Sequence, residues 1–222
     1  MRIVFFGSPA FAVPSLTALV EAGHDVTLAV TQPAKPAGRK AVLTDPAVAL
    51  CAQRLGIPVF QPVKLRTEEA LARIRQEHPD FLAVAAYGKI LPQSLLDLPS
   101  VASVNVHGSL LPRWRGAAPI NAAILAGDTE TGVTIMKMDP GLDTGPTLSR
   151  RSIPIRVDDT AGSVFEALST LGADLLPREG RRFTFEFRHP TWFEDDVVDE
   201  LRGRNIALTV SDTEEFSSPM IP

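Results

Sequence analysis

Short apolar runs alternate with amphipathic stretches from the first residues onward. Residues 3–6, 26–31, 58–60, 81–85 and 104–107 read as buried strands. A helix opens across residues 9–14 and closes near Glu21-Ala22-Gly23, and residues 47–55 and 67–76 follow as helices. Thr67 can cap the last of these, with Glu68 and Glu69 favourable in its first turn. Strands that are apolar on both faces and separated by helices predict a doubly wound, mainly parallel sheet. The expected class is α/β, Rossmann-like. Residues 132–138 and 147–155 add two strands around the tight loop 139–146, and 160–176 closes the region as an amphipathic helix.

Beyond Pro177 the pattern changes. Arg178, Arg181, Arg182 and Arg188 precede Glu194, Asp195, Asp196, Asp199 and Glu200. Residues 183–187 and 206–210 read as strands and 193–201 as a helix, a short β-α-β segment with a frayed end. The expected organisation is one domain over 1–177 and an atypical segment over 178–222.

Composition narrows the chemistry. Cys51 is the sole cysteine, which excludes an internal disulfide framework and any cysteine-based zinc pattern. His24, His78, His107 and His189 are scattered without a helix-spaced pair, so no metal is expected. A net charge of −4 argues against bulk polyanion binding but leaves room for a local basic loop. The apolar start is broken by Gly7, Ser8 and Pro9, too soon for a signal core. No run approaches membrane-spanning length, so the expectation is a cytoplasmic protein with no membrane partner. Gly7-Ser8-Pro9 matches no G-x-G-x-x-G and reads as a strand-to-helix turn, without a dinucleotide cofactor.

The chemistry concentrates at residues 103–120. Asn105 and His107 stand two positions apart at the end of an apolar run, and a strand sends i and i+2 to the same side. An amide able to donate to an oxyanion, beside a base near neutrality, suits acyl transfer. A core histidine satisfied by a backbone carbonyl fits the same residues equally well. Asp143, in a glycine-punctuated loop, could reach and orient the imidazole, although alone it reads as an ordinary turn aspartate.

Asn105-Val106-His107-Gly108-Ser109-Leu110-Leu111-Pro112-Arg113-Trp114-Arg115-Gly116-Ala117-Ala118-Pro119-Ile120 resembles the signature of folate-dependent formyltransferases, most closely those that act on methionyl-tRNA. Other segments agree in order, among them Phe6-Gly7-Ser8-Pro9-Ala10-Phe11, Gly56-Ile57-Pro58-Val59-Phe60-Gln61-Pro62 and Ala86-Tyr87-Gly88-Lys89-Ile90-Leu91-Pro92. The resemblance covers residues 1–177. It implies transfer of a formyl group from 10-formyltetrahydrofolate to methionine on initiator tRNA, in translation initiation, by a monomer. It implies catalytic roles for Asn105, His107 and Asp143, without a metal. It assigns folate binding to Ser109, Leu110, Leu111 and Pro112, with Tyr87, Gly88 and Ile90 lining the pterin pocket. The loop 31–43 resembles the family's tRNA-contacting insertion, with Arg39 and Lys40 as its basic residues. Lys40-Ala41-Val42 departs from that pattern, where further basic residues are usual.

Residues 178–222 do not resemble the family's linker and tRNA-binding barrel. Phe183-Thr184-Phe185-Glu186-Phe187-Arg188-His189-Pro190-Thr191-Trp192-Phe193 is similar instead to part of the YecE-like barrel family. Three expectations follow: an enzyme acting on methionyl-tRNA, one acting on a small amine such as an amino sugar nucleotide or glycinamide ribonucleotide, or a truncated or fused remnant with little activity.

Overall fold

The computed structural model describes residues 1–38, 41–176, 184–186 and 207–209. The chain divides into two units, Met1–Arg178 and Glu179–Pro222. In the first, β1 (Arg2–Gly7) leads through a short 3₁₀ turn into α1 (Val13–Glu21) and β2 (Asp25–Val30). A hairpin of β3 (Lys35–Ala37) and β4 (Val42–Thr44) precedes α2 (Ala47–Arg54) and β5 (Val59–Phe60). Next come α3 (Glu68–Arg75), β6 (Phe81–Ala85), α4 (Gln93–Leu96) and β7 (Ala102–His107). The unit ends with α5 (Pro119–Leu125), β8 (Glu130–Lys137), β9 (Thr147–Pro154) and α6 (Ala161–Leu175).

Seven strands form one sheet in the order β5-β2-β1-β6-β7-β8-β9. The five from β5 to β7 are parallel, and β8 and β9 join antiparallel. The apolar runs become central strands because both faces are covered: five of six residues in β1 and all five in β6 are buried. Val4, Phe6, Leu28, Val30, Leu82 and Val84 pack one face against Leu71, Ile74 and Leu95. Thr67 does cap α3, its Oγ1 accepting from the Ala70 amide at 3.3 Å. After β1 the chain winds outward to β2 and β5, then returns to lay β6 and β7 on the other side. The reversal falls between β1 and β6, which opens a crevice beyond the carboxyl ends of the strands.

Three features differ from the sequence reading. Part of residues 31–43 is an antiparallel hairpin with Lys35 opposite Thr44, rather than a plain loop. α4 and α5 were not expected. Each is short and follows or begins with proline, which fits a first helical turn. Arg39 and Lys40 lie outside the described residues.

In the second unit, β10 (Thr184–Glu186) pairs in parallel with β11 (Ala207–Thr209). Both fall within the expected strands. The expected helix 193–201 lies outside the described residues.

Candidate active site

β7 delivers Asn105 and His107 to the crevice. Its register sets Asn105 opposite Met136 and His107 opposite Thr134 on β8. β8 runs antiparallel, from beside His107 back to Val104, and the loop that follows it brings Asp143 to Asn105, 38 residues on in the chain. Asn105 Nδ2 donates to Asp143 Oδ1 at 3.4 Å, and His107 Nδ1 lies 3.5 Å from Asp143 Oδ2. Asp143 also accepts the Gly116 amide at 2.8 Å and adopts a left-handed backbone, φ 51°. Aspartate tolerates that region better than most residues.

The two imidazole nitrogens are distinct. His107 Nε2 lies 2.9 Å from the Trp114 carbonyl oxygen. A carbonyl can only accept, so Nε2 carries a hydrogen and donates it there. Nδ1 is left as the nitrogen that can take up and release a proton, and it faces the carboxylate. Asn105 likewise has a second amide hydrogen beyond the one given to Asp143. The core-histidine reading was therefore half of the answer: one side of the ring is satisfied by a backbone carbonyl and the other faces the site.

The three side chains border a cavity of about 580 Å³, walled by residues 86–91, the start of α5, the loop around Asp143, and Phe11 and Phe165. Tyr87, Gly88 and Ile90 belong to that wall. The Tyr87 ring itself turns into the core, edge-on to Phe6 with centroids 5.3 Å apart. Burial pushes its phenol up to about 12. Ser109, Leu110, Leu111 and Pro112 are not in the wall of this cavity. Ser109 is buried and donates to the Arg113 carbonyl at 2.6 Å, and Leu111 is buried as well. Leu110 and Pro112 border a separate cavity with Trp114 and Arg150. Thr134 braces this turn, donating to the Ser109 carbonyl at 2.7 Å and accepting from the Leu111 amide at 3.1 Å.

Sequence reasoning missed the Trp114 carbonyl and the Gly116 amide, which hold His107 and Asp143. Both are backbone groups, and residue type carries no signal of them. Among the described residues no group of three His, Cys, Asp or Glu side chains could hold a metal ion.

Residues 1–179 match the profile described as formyl transferase. The chain belongs to the formyl transferase family. It is 57% identical over 175 residues to a methionyl-tRNA formyltransferase of Halorhodospira halophila, covering 79% of this chain and 56% of that protein. A methionyl-tRNA formyltransferase of Rhodopseudomonas palustris is 54% identical over 178 residues, covering 80% and 57%. The chain thus spans little more than half the length of these curated relatives. Among solved structures, a phosphoribosylglycinamide formyltransferase from Bacillus halodurans superposes with a TM-score of 0.67 at 26% identity. That match covers 80% of this chain and 92% of that one. The mixed, mainly parallel sheet is the formyl transferase fold.

Proposed function

We propose that this chain transfers the formyl group of 10-formyltetrahydrofolate to the α-amino group of methionyl initiator tRNA, with Asn105, His107 and Asp143 as catalytic residues. The observation that carries the reading is the convergence of an amide, an imidazole and a carboxylate within 3.5 Å at the cavity edge. The identity with relatives named methionyl-tRNA formyltransferase supports the choice of acceptor.

The neutral amine attacks the formyl carbon. A carbon–nitrogen bond forms while the carbonyl π electrons move onto oxygen. Asn105 Nδ2 donates to that oxygen; one such donor contributes about 3 kcal/mol to the transition state. The attacking nitrogen must lose a proton and the folate nitrogen must gain one before the old carbon–nitrogen bond breaks. His107 Nδ1 is the group that exchanges protons between them, and Asp143 opposes the imidazolium that forms in between. Pterin binding by the Tyr87, Gly88 and Ile90 wall, and folate binding by Ser109, Leu110, Leu111 and Pro112, are part of the same proposal. So is phosphate contact by Arg39 and Lys40, which would position the acceptor without reading bases. The same proposal takes the chain as a monomer, and a tRNA acceptor implies a cytoplasmic setting.

The test is formyl transfer from 10-formyltetrahydrofolate to charged initiator tRNA, followed by mass. His107→Ala and Asn105→Ala are each expected to lower kcat by about 10²–10³ with the fold retained by circular dichroism. Activity on glycinamide ribonucleotide or an amino sugar nucleotide alone would overturn the acceptor. Undiminished turnover in the variants would overturn the residues.

A further inference from the structure

Asp128 lies on the turn between α5 and β8, 15 residues from Arg113, and the chemistry above makes no use of it. Its carboxylate accepts Arg113 Nε at 2.9 Å, Arg113 Nη2 at 2.6 Å and Trp114 Nε1 at 2.7 Å. The Arg113 guanidinium also stacks over the Trp114 ring at 4.4 Å. A bidentate, charge-assisted pair with a third donor is a far more specific lock than a lone surface ion pair. The Arg113 hydrogen bonds, and then the Trp114 bond, hold the Asp128 carboxyl down at about 2.

This lock grips two consecutive residues, and the backbone of the second serves the site. Trp114 is in the left-handed region, φ 60°, which costs a non-glycine residue about 1–2 kcal/mol. That conformation aims its carbonyl at His107 Nε2. Two residues on, the Gly116 amide meets Asp143 Oδ2. One short loop therefore supports two of the three catalytic side chains from behind, and Asp128 anchors its far side.

We propose that Asp128 is a positioning residue. Through Arg113 and Trp114 it keeps the Trp114 carbonyl on His107 Nε2 and thereby fixes Nδ1 as the proton-exchanging nitrogen. The inference rests on the formyl-transfer reading for its effect on rate, but not for its effect on the imidazole.

The experiment therefore has two readouts, kinetics and the ¹⁵N chemical shifts of His107. In the parent chain the ring is expected to hold its neutral-state hydrogen on Nε2. In Asp128→Ala a mixture with the Nδ1–H tautomer should appear, and kcat should fall about 10- to 100-fold while the folate KM changes little. Asp128→Asn, which still accepts from Trp114 Nε1, should lie between the two. Trp114→Phe, which keeps the backbone carbonyl and the Arg113 pair, offers a milder perturbation should Asp128→Ala fail to fold. It should shift the tautomer balance in the same direction. Parent-like nitrogen shifts in folded Asp128→Asn and Trp114→Phe would overturn the inference, whatever happens to kcat. Parent-like kcat with an altered tautomer would also overturn it. A parent chain that transfers no formyl group would sink the proposed function and leave the tautomer arm to decide this one.

Discussion

The Tyr87 hydroxyl is buried and has no hydrogen-bond partner among the described residues, although its ring packs edge-on against Phe6. An unmade buried bond costs about 1–3 kcal/mol, so removing the hydroxyl should not destabilise the fold. Tyr87→Phe is expected to be neutral to stabilising near pH 7 by thermal denaturation. The pH dependence gives a sharper outcome. Burial raises the folded phenol to about 12, against roughly 10 in an unfolded chain. Below pH 10 both states keep the proton and the group adds no slope. Between pH 10 and 12 only the unfolded state releases it, so stability falls as pH rises. Tyr87→Phe should lose that part of the alkaline decline, and an identical decline in both proteins would refute the assignment. At this scale the sequence was informative where chemistry lives in side chains. Asn105 and His107 stand two apart in a strand, and period two alone puts them on one side. It was silent where backbone acts, as at Trp114 and Gly116, since every residue has a carbonyl and nearly every one an amide.

Among the elements, α6 connects packing to the site most directly. Thr160 and Ser163 bond reciprocally at its start, the Ser163 amide to Thr160 Oγ1 at 3.2 Å and the Thr160 amide to Ser163 Oγ at 3.0 Å. This cap was legible only in part, because a serine takes the place of the usual Glu or Gln. Further along, Gly172 lies against β7: a Cβ there would come within 2.7 Å of Val106 Cγ1 and 3.8 Å of Val133 Cγ1. Val106 sits between Asn105 and His107, so the pressure would be felt at the site. Two effects oppose each other in Gly172→Ala. Helix propensity favours alanine by about 1 kcal/mol, while overpacking a tight contact costs about 1–3 kcal/mol. A net loss of about 1 kcal/mol is expected, measured by denaturant unfolding, together with a lower kcat. A stabilised variant with parent kcat would mean that helix and strand separate freely. The strands were readable because continuous apolar runs mark two-sided burial. The direction of β8 and β9 was not, since hydrophobic period does not distinguish parallel from antiparallel pairing.

At the scale of the whole first unit, the sheet gathers segments far apart in sequence at one edge, and Gln61 holds several of them. It follows β5 directly. Its Nε2 lies 3.3 Å from Thr31 Oγ1 at the end of β2, 3.2 Å from the Gln32 carbonyl, and 3.0 Å from Asp45 Oδ1 beyond β4. Gln32 in turn donates from Nε2 to the Tyr87 carbonyl in the cavity wall at 3.2 Å and from its backbone amide to Ser8 Oγ at 3.0 Å. Gln32 and Asp45 flank the β3–β4 hairpin, so one amide closes the hairpin's base and ties it to the strand ends. The sequence shows Gln61 only as one polar residue after a short strand; its partners are 16 to 30 residues away and come together through the parallel crossover. Gln61→Ala leaves these part-buried acceptors with less to bond, at about 1–3 kcal/mol for the set. The loss should be local, because the central strands do not depend on it. Hydrogen exchange is therefore expected to quicken across residues 32–45 and at the cavity wall, with β1, β6 and β7 still protected. Under the proposed function, transfer to initiator tRNA should fall more than transfer to a small amine that has no use for the hairpin. Uniform exchange throughout the sheet, or equal loss with both acceptors, would mean that Gln61 supports the fold as a whole and not the hairpin.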